Sequence, residues 1–355
     1  MPPGIFYING VLQMDKKKRG YVVSVAVLLL LLVVTVLVFR DKLPEIISAM
    51  RSVPTKLIIL ILLIGMGYQL LDSLMCMVLV RSRVPELSYI QAFELTLTGI
   101  FALVCTNSIA TIPLQSAYLY TYGIDVGHSM GMMTLKYVFH KATIAGFALV
   151  MLLVNFGWLR SAVPEVMGYL IPGFAMCTAI ILVLVLLCTW DKMRIFIGKL
   201  IDWLPGRGKL AEKKNSWKEN IDLMYTEFGN ISGQKGRIAK ILAINAAKLT
   251  LVYSVPVLAL SALGAGNVGL FHGETLSSLV WLIGGVLPSV SGLGPIDLAF
   301  ALLFGPFAPE NTVSAALVLY RAATYFVPFV ISLPTVYFAQ RRIRRRLEND
   351  KGDRD

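Results

Sequence analysis

Eight titratable side chains lie inside apolar stretches of the chain: Asp72, Glu94, Lys136, His140, Lys141, Lys248, Asp297 and Arg321. A charge at the centre of a membrane helix costs about 2.5–3.5 kcal/mol on insertion scales, so each of them needs a partner or a ligand. One reading is internal ion pairing, with Asp72 or Glu94 neutralising a lysine. The other is a wet, electropositive cavity for an anionic headgroup, and four cations against three acids favours it. Lys141 and Arg321 fall about 16 Å and about 12 Å along their apolar stretches at a rise of 1.5 Å per residue, too deep for easy snorkelling. Arg offers phosphate a planar fork and Lys a compact point charge. Arg321, Lys141, Lys136 and Lys248 are therefore the candidate headgroup ligands. Asp297 is either a first-turn helix cap or a gate that pairs with Arg321. Asp72, Glu94 and His140 complete the charge-pair set and are candidate proton carriers.

The elements that carry these residues follow from hydropathy. A helix needs about 20 apolar residues to cross the hydrocarbon, and six stretches qualify or nearly so: 21–39, 57–80, 130–154, 166–189, 238–263 and 313–339. Two further apolar stretches, 89–122 and 275–305, are interrupted, the first by Asn107, Ser108, Thr111 and Pro113, the second by Pro288, Ser289, Ser291, Gly292, Gly294 and Pro295. Such interruptions free backbone polar groups, which is tolerated at membrane depth only where protein or a wet cavity satisfies them. Parity of crossing then predicts that both stretches dip in and return. A single crossing by 89–122 would leave the basic 190–237 segment outside, against the positive-inside rule. The expected architecture is an all-α polytopic membrane protein with about six full spans and two re-entrant hairpins, one from each face, turning at Asn107, Pro113, Pro288, Gly292, Gly294 and Pro295. The two units, each span–hairpin–span, run in opposite directions. Pro113 precedes Lys141-Ala-Thr143 at nearly the spacing by which Pro295 precedes Arg321-Ala-Ala-Thr324. Inverted repeats with broken helices near the midplane are a common construction of alternating-access carriers.

Composition bounds the alternatives. Of 355 residues 56% are hydrophobic and only 15% charged, against about 25% charged in soluble domains, which excludes a single soluble domain. The net charge of +12 does not imply nucleic acid. Lys16–Arg19 precede the first apolar run, Arg341, Arg342 and Arg344–Arg346 follow the last, and ten more Lys/Arg lie in 190–237, as expected for loops beside anionic lipid. Within 190–237, Ile195, Phe196, Leu200, Trp203 and Leu204, then Trp217, Ile221, Met224 and Phe228, recur at helical spacing and predict amphipathic helices lying along the interface or covering the bundle. The four cysteines sit in apolar runs without CxxC spacing and read as core. The Tyr21–Phe39 run resembles a signal sequence but is read as a retained anchor. Gly264-Ala-Gly266-Asn-Val-Gly269 follows a span, not a strand, so it is no dinucleotide fingerprint. Gly123, Gly127 and Gly131 permit close helix packing.

The segment Ser291-Gly-Leu-Gly-Pro-Ile-Asp297-Leu, followed by Leu319-Tyr320-Arg321-Ala-Ala-Thr-Tyr325-Phe-Val-Pro328-Phe, resembles the C-terminal signature of the lysylphosphatidylglycerol synthase transmembrane family, the flippase region of multiple peptide resistance factor proteins and their stand-alone relatives. That pattern is a Gly-Gly-x-Gly turn, an acid three residues later and a Tyr-Arg on the next helix. Ser291 stands here for the first Gly, Pro295 is inserted, and the Pro before the glycines is Pro288. The resemblance implies a lipid-translocating fold with re-entrant helices and adds Tyr320 to the headgroup contacts. In bifunctional members a soluble aminoacyl-transferase domain follows, and this chain ends shortly after its basic tail.

The expectation is therefore a flippase-like carrier, not an enzyme. It moves an anionic or aminoacylated phospholipid, or a similar lipid-linked headgroup, between leaflets, without cofactor or metal. The organisation expected is a cytoplasmic segment at 1–20, a transmembrane domain at 21–340 with 190–237 cytoplasmic, and a basic tail at 341–355, in the cell membrane with both termini inside. Membrane phospholipids are the expected partners, with a separate lipid-modifying synthase and a second copy as candidate protein partners and no nucleic acid. The rival readings are a membrane scaffold for a lipid-modifying or glycosyl-transferring enzyme and a small-anion secondary transporter.

Overall fold

Apolar runs of this length have no water to satisfy their backbone, so they close their hydrogen bonds internally as helices. The computed structural model describes residues 53–106, 110–203, 209–266, 268–285 and 294–352, with Ser48 and Arg51. Among them the regular elements are α1 Thr55–Val80, α2 Tyr89–Cys105, α3 Thr111–Tyr120, α4 Val126–Ala162, α5 Pro164–Thr189, α6 Asp191–Trp203, α7 Lys209–Ser232, α8 Lys235–Ala262, α9 Leu270–Gly284, α10 Pro295–Phe304, α11 Glu310–Arg321 and α12 Val327–Gly352. A 3₁₀ turn, Gly305–Phe307, follows α10, and a π turn, Ala322–Phe326, joins α11 to α12.

Five helical segments are long and apolar enough to cross a membrane: α1, α4, Leu170–Thr189 of α5, α8, and the continuous Glu310–Ala339. They match the expected stretches 57–80, 130–154, 166–189, 238–263 and 313–339. The expected span 21–39 lies outside the described residues, as do the turn residues Asn107, Pro288 and Gly292.

Both interrupted stretches are broken into two helices. α3 and α10 have 10 residues each, about 15 Å at the helical rise, half of the roughly 30 Å hydrocarbon. Thr106 bridges the first break, its Oγ1 donating to the Ala102 carbonyl at 2.6 Å and accepting from the Ala110 N–H at 2.9 Å. Pro113 is not in the break but in the first turn of α3, where its missing N–H would have had no helical partner anyway. In the second break Gly294 has φ 104°, a left-handed value open to glycine, and Pro295 begins α10. Local signals set other ends. Ser88 and Gln91 form a reciprocal capping box on α2, and Asp125 accepts from the Gly127 N–H at 2.9 Å to start α4.

The most extensive packing joins α1 to α8. They run antiparallel, since Gly67 meets Leu251 and Asp72 meets Lys248. Around this pair, α2 packs on α3 and on α12, while α9 packs on α10 and on α4. Each broken pair thus leans its leading helix on the last long segment of the other half. The described parts of the polar segment form helices α6 and α7, as its periodicity predicts, and Leu204 lies outside the described residues. Met193, Ile197 and Ile201 of α6 turn inward, whereas Phe196 and Trp203 are 60% and 81% exposed. Helix α7 lies on α4 at Gly131, where a Cβ would stand 2.9 Å from the Leu223 carbonyl. Beside that contact the buried Glu227 accepts from Arg83 and pairs with His128, each at 2.7 Å.

Candidate functional site

The first turn of α10 and the last turn of α11 bring Asp297 and Arg321 together. Asp297 occupies the first turn of α10, and its Oδ2 accepts the Gly294 N–H at 2.7 Å. Its Oδ1 accepts from Arg321 Nε at 2.6 Å. The helix cap and the pairing with Arg321 are therefore one arrangement, a carboxylate with one oxygen for each partner. Arg321 ends α11 and is buried, its guanidinium 5.9 Å from the Tyr320 and Tyr325 ring centres. Its Nη2 has no hydrogen-bond partner among the described residues. The π turn begins at the next residue, and π distortions concentrate at functional sites. Gly65 of α1 makes room for it: a Cβ there would lie 2.2 Å from the Ala323 carbonyl oxygen.

A second charged group sits between α1, α4 and α8. Asp72 Oδ2 accepts from Lys136 at 2.6 Å and its Oδ1 from Lys248 at 2.5 Å. Lys248 has no exposed side-chain surface, whereas Lys136 and Asp72 each keep 13%. One carboxylate thus bridges two ammonium groups. The Lys248 ammonium also stands 5.4 Å from the centre of the Tyr68 ring, a favourable cation–π distance. His140 lies within electrostatic reach of Lys248, Lys141, Asp72 and Lys136, and its buried Nδ1 has no hydrogen-bond partner among the described residues.

Lys141 donates to the Gly285 carbonyl at 2.6 Å. Gly285 caps α9, so the ammonium satisfies a helix C-terminus, the end that favours a cation. Tyr320 is buried in the core, where its hydroxyl accepts from Trp281 Nε1 at 2.8 Å. Glu94 stands in the first broken pair, accepting from the Tyr118 hydroxyl at 2.5 Å.

Of the predicted residues, the structure joins Asp72, Lys136 and Lys248 around one centre and Arg321, Asp297 and Gly294 around another, while Lys141 stands on the Gly285 carbonyl. Trp281, which composition did not single out, connects them. Its ring packs within about 6 Å of Tyr68, His140 and Tyr253, and its N–H reaches Tyr320 beside Arg321. An aromatic in an apolar run carries no sequence signal beyond core. Glu227 was missed for the opposite reason, since acids in a polar helix read as solvated. Among the described residues no group of three His, Cys, Asp or Glu side chains is placed to hold a metal ion.

Antiparallel long helices, two broken helix pairs and buried charge define a multi-pass α-helical membrane protein with a polar seam through its core. The sequence profile of the family described as Lysylphosphatidylglycerol synthase TM region matches residues 21–332, and the chain belongs to that family. No curated protein and no solved structure matches it.

Proposed function

We propose that the protein carries a lipid headgroup between the two leaflets of the cell membrane, the acyl chains remaining in lipid. The supporting observation is the half-paired Arg321, a buried guanidinium with Nε on Asp297 and Nη2 unpartnered among the described residues, beside a helix break whose α10 N-terminus favours anions. The family membership agrees with lipid handling. In this reading α1–α4 and α8–α12 are inverted units, and their broken pairs α2/α3 and α9/α10 are re-entrant hairpins entering from opposite faces. The antiparallel α1–α8 pair and the exchanged packing of α2 on α12 and α9 on α4 suit such a two-fold arrangement, which is how alternating-access carriers place a site near the midplane. The basic segment 190–237 and both termini are cytoplasmic. The transport is non-enzymatic, with Arg321 and Asp297 parting when a phosphate takes the guanidinium.

The test is translocation of headgroup-labelled phospholipid in proteoliposomes. The wild type is expected to move lipid, with Arg321→Ala at least tenfold slower. Equal rates in both would refute the phosphate role of Arg321, and no movement by the wild type would refute the carrier. A second reading, a membrane scaffold for a separate lipid-modifying enzyme, is favoured by the exposed apolar face of α6. It predicts that Arg321→Ala is silent while changes at Phe196 and Trp203 abolish function.

A further inference from the structure

We infer that the headgroup this protein accepts is an acidic one without an aminoacyl group, and that an aminoacylated, cationic headgroup is rejected by the charge of the lysine cluster. The inference rests on the carrier reading and narrows it to a substrate class.

Its basis is where the excess charge falls. Arg321 has its own carboxylate in Asp297, and Glu94 is engaged by Tyr118. Of the other three cations, Lys136 and Lys248 share a single acid, Asp72, which uses one oxygen for each, while Lys141 meets the neutral Gly285 carbonyl and the Tyr137 ring. The Asp72 cluster therefore holds two ammonium groups against one carboxylate, one positive charge more than its own residues offset, and Lys141 adds a second uncompensated charge beside His140. Burial makes that excess far more consequential than on a surface, because an uncompensated charge in a low-dielectric interior lacks both water and partner. The exposed fraction of Lys136 and Asp72, against none for Lys248, shows that the cluster opens on the Lys136 side. Two polar groups around Trp281, the His140 Nδ1 and the Tyr253 hydroxyl, are buried without partners among the described residues, which leaves hydrogen-bonding capacity for a ligand.

A phosphodiester or phosphomonoester supplies the missing negative charge and can bridge ammonium groups as the Asp72 carboxylate does. A lysyl ester on the headgroup glycerol adds two ammonium groups and brings like charge into the cluster. The sign of the site thus opposes the aminoacylated lipid that gives the family its name. Loss of a proton from Lys136 or Lys248 would also balance the Asp72 cluster, and it would leave no dependence on headgroup charge there.

The experiment uses the full-length protein and four acyl-labelled lipids that differ only in headgroup: phosphatidylglycerol, phosphatidic acid, phosphatidylcholine and lysylphosphatidylglycerol. Translocation is measured in proteoliposomes, and retention of each lipid by the detergent-solubilised protein is measured by native mass spectrometry. The two acidic lipids are expected to move and to bind at least tenfold better than lysylphosphatidylglycerol. Lys136→Gln and Lys141→Gln, tested separately in case one fails to fold, should each narrow that ratio several-fold. Equal retention of acidic and lysyl lipids by the wild type, or a ratio unchanged in both variants, overturns the inference. Selective retention without translocation would instead sustain the headgroup preference and remove the carrier reading beneath it.

Discussion

Asp72 holds two lysines, so its removal differs in kind from removal of either partner. Asp72→Asn leaves two buried ammonium groups without a counter-charge, and breaking buried pairs in this way costs about 3–5 kcal/mol. Lys248→Met removes one of the excess charges and should cost clearly less, despite complete burial of the side chain. Unfolding in detergent measures the order, and a variant at 248 less stable than the one at 72 would contradict the charge distribution described. The eight side chains at issue were visible in the sequence because charge inside an apolar run stands out. Their pairing was not. Asp72 and Lys248 are 176 positions apart, and no local pattern encodes a contact of that separation. Trp281 was hidden for want of any feature to separate a connecting aromatic from a packing one.

Helices approach closely here at specific glycines, and this is testable at the level of the element. Gly65→Leu would drive a side chain into the Ala323 carbonyl, at the π turn that follows Arg321. Overpacking of this sort costs about 1–3 kcal/mol, and because it displaces the turn it should slow transport as well as lower the melting temperature. A variant with wild-type transport and stability would show that α1 does not fix the turn. On the polar segment, Glu227→Ala removes the carboxylate that ties α7 to Arg83 and His128. The freed α7 should be cleaved faster in limited proteolysis, while α1, α4 and α8 stay protected; unchanged cleavage would mean the contact is incidental. The helices α6 and α7 were legible from their apolar spacing, and the packing role of Gly131 from its size. The ends of the broken pairs were less so. Pro113 suggested a break at its own position, but proline is comfortable in a first turn, so the chain breaks before it.

For the molecule as a whole, hydropathy was enough to find the five long helical segments and to see that two stretches between them were discontinuous, since both features are set by composition along short windows. The proposed direction in which the discontinuous stretches enter rests on the parity of basic loops, and the proposed headgroup path requires that they turn back. Single cysteines at Glu86 and Gly123 bracket the first broken pair, and at Gly266 and Pro309 the second. All four positions are exposed, and Cys76, Cys177 and Cys188 are buried while Cys105 is partly so, which keeps background labelling low. With a membrane-impermeant thiol reagent applied to sealed vesicles of each orientation, positions 86 and 123 should label from the same face and positions 266 and 309 both from the opposite one. Labelling of either pair from two different faces would mean that a broken stretch crosses the bilayer, and the inverted arrangement with its headgroup path would be wrong.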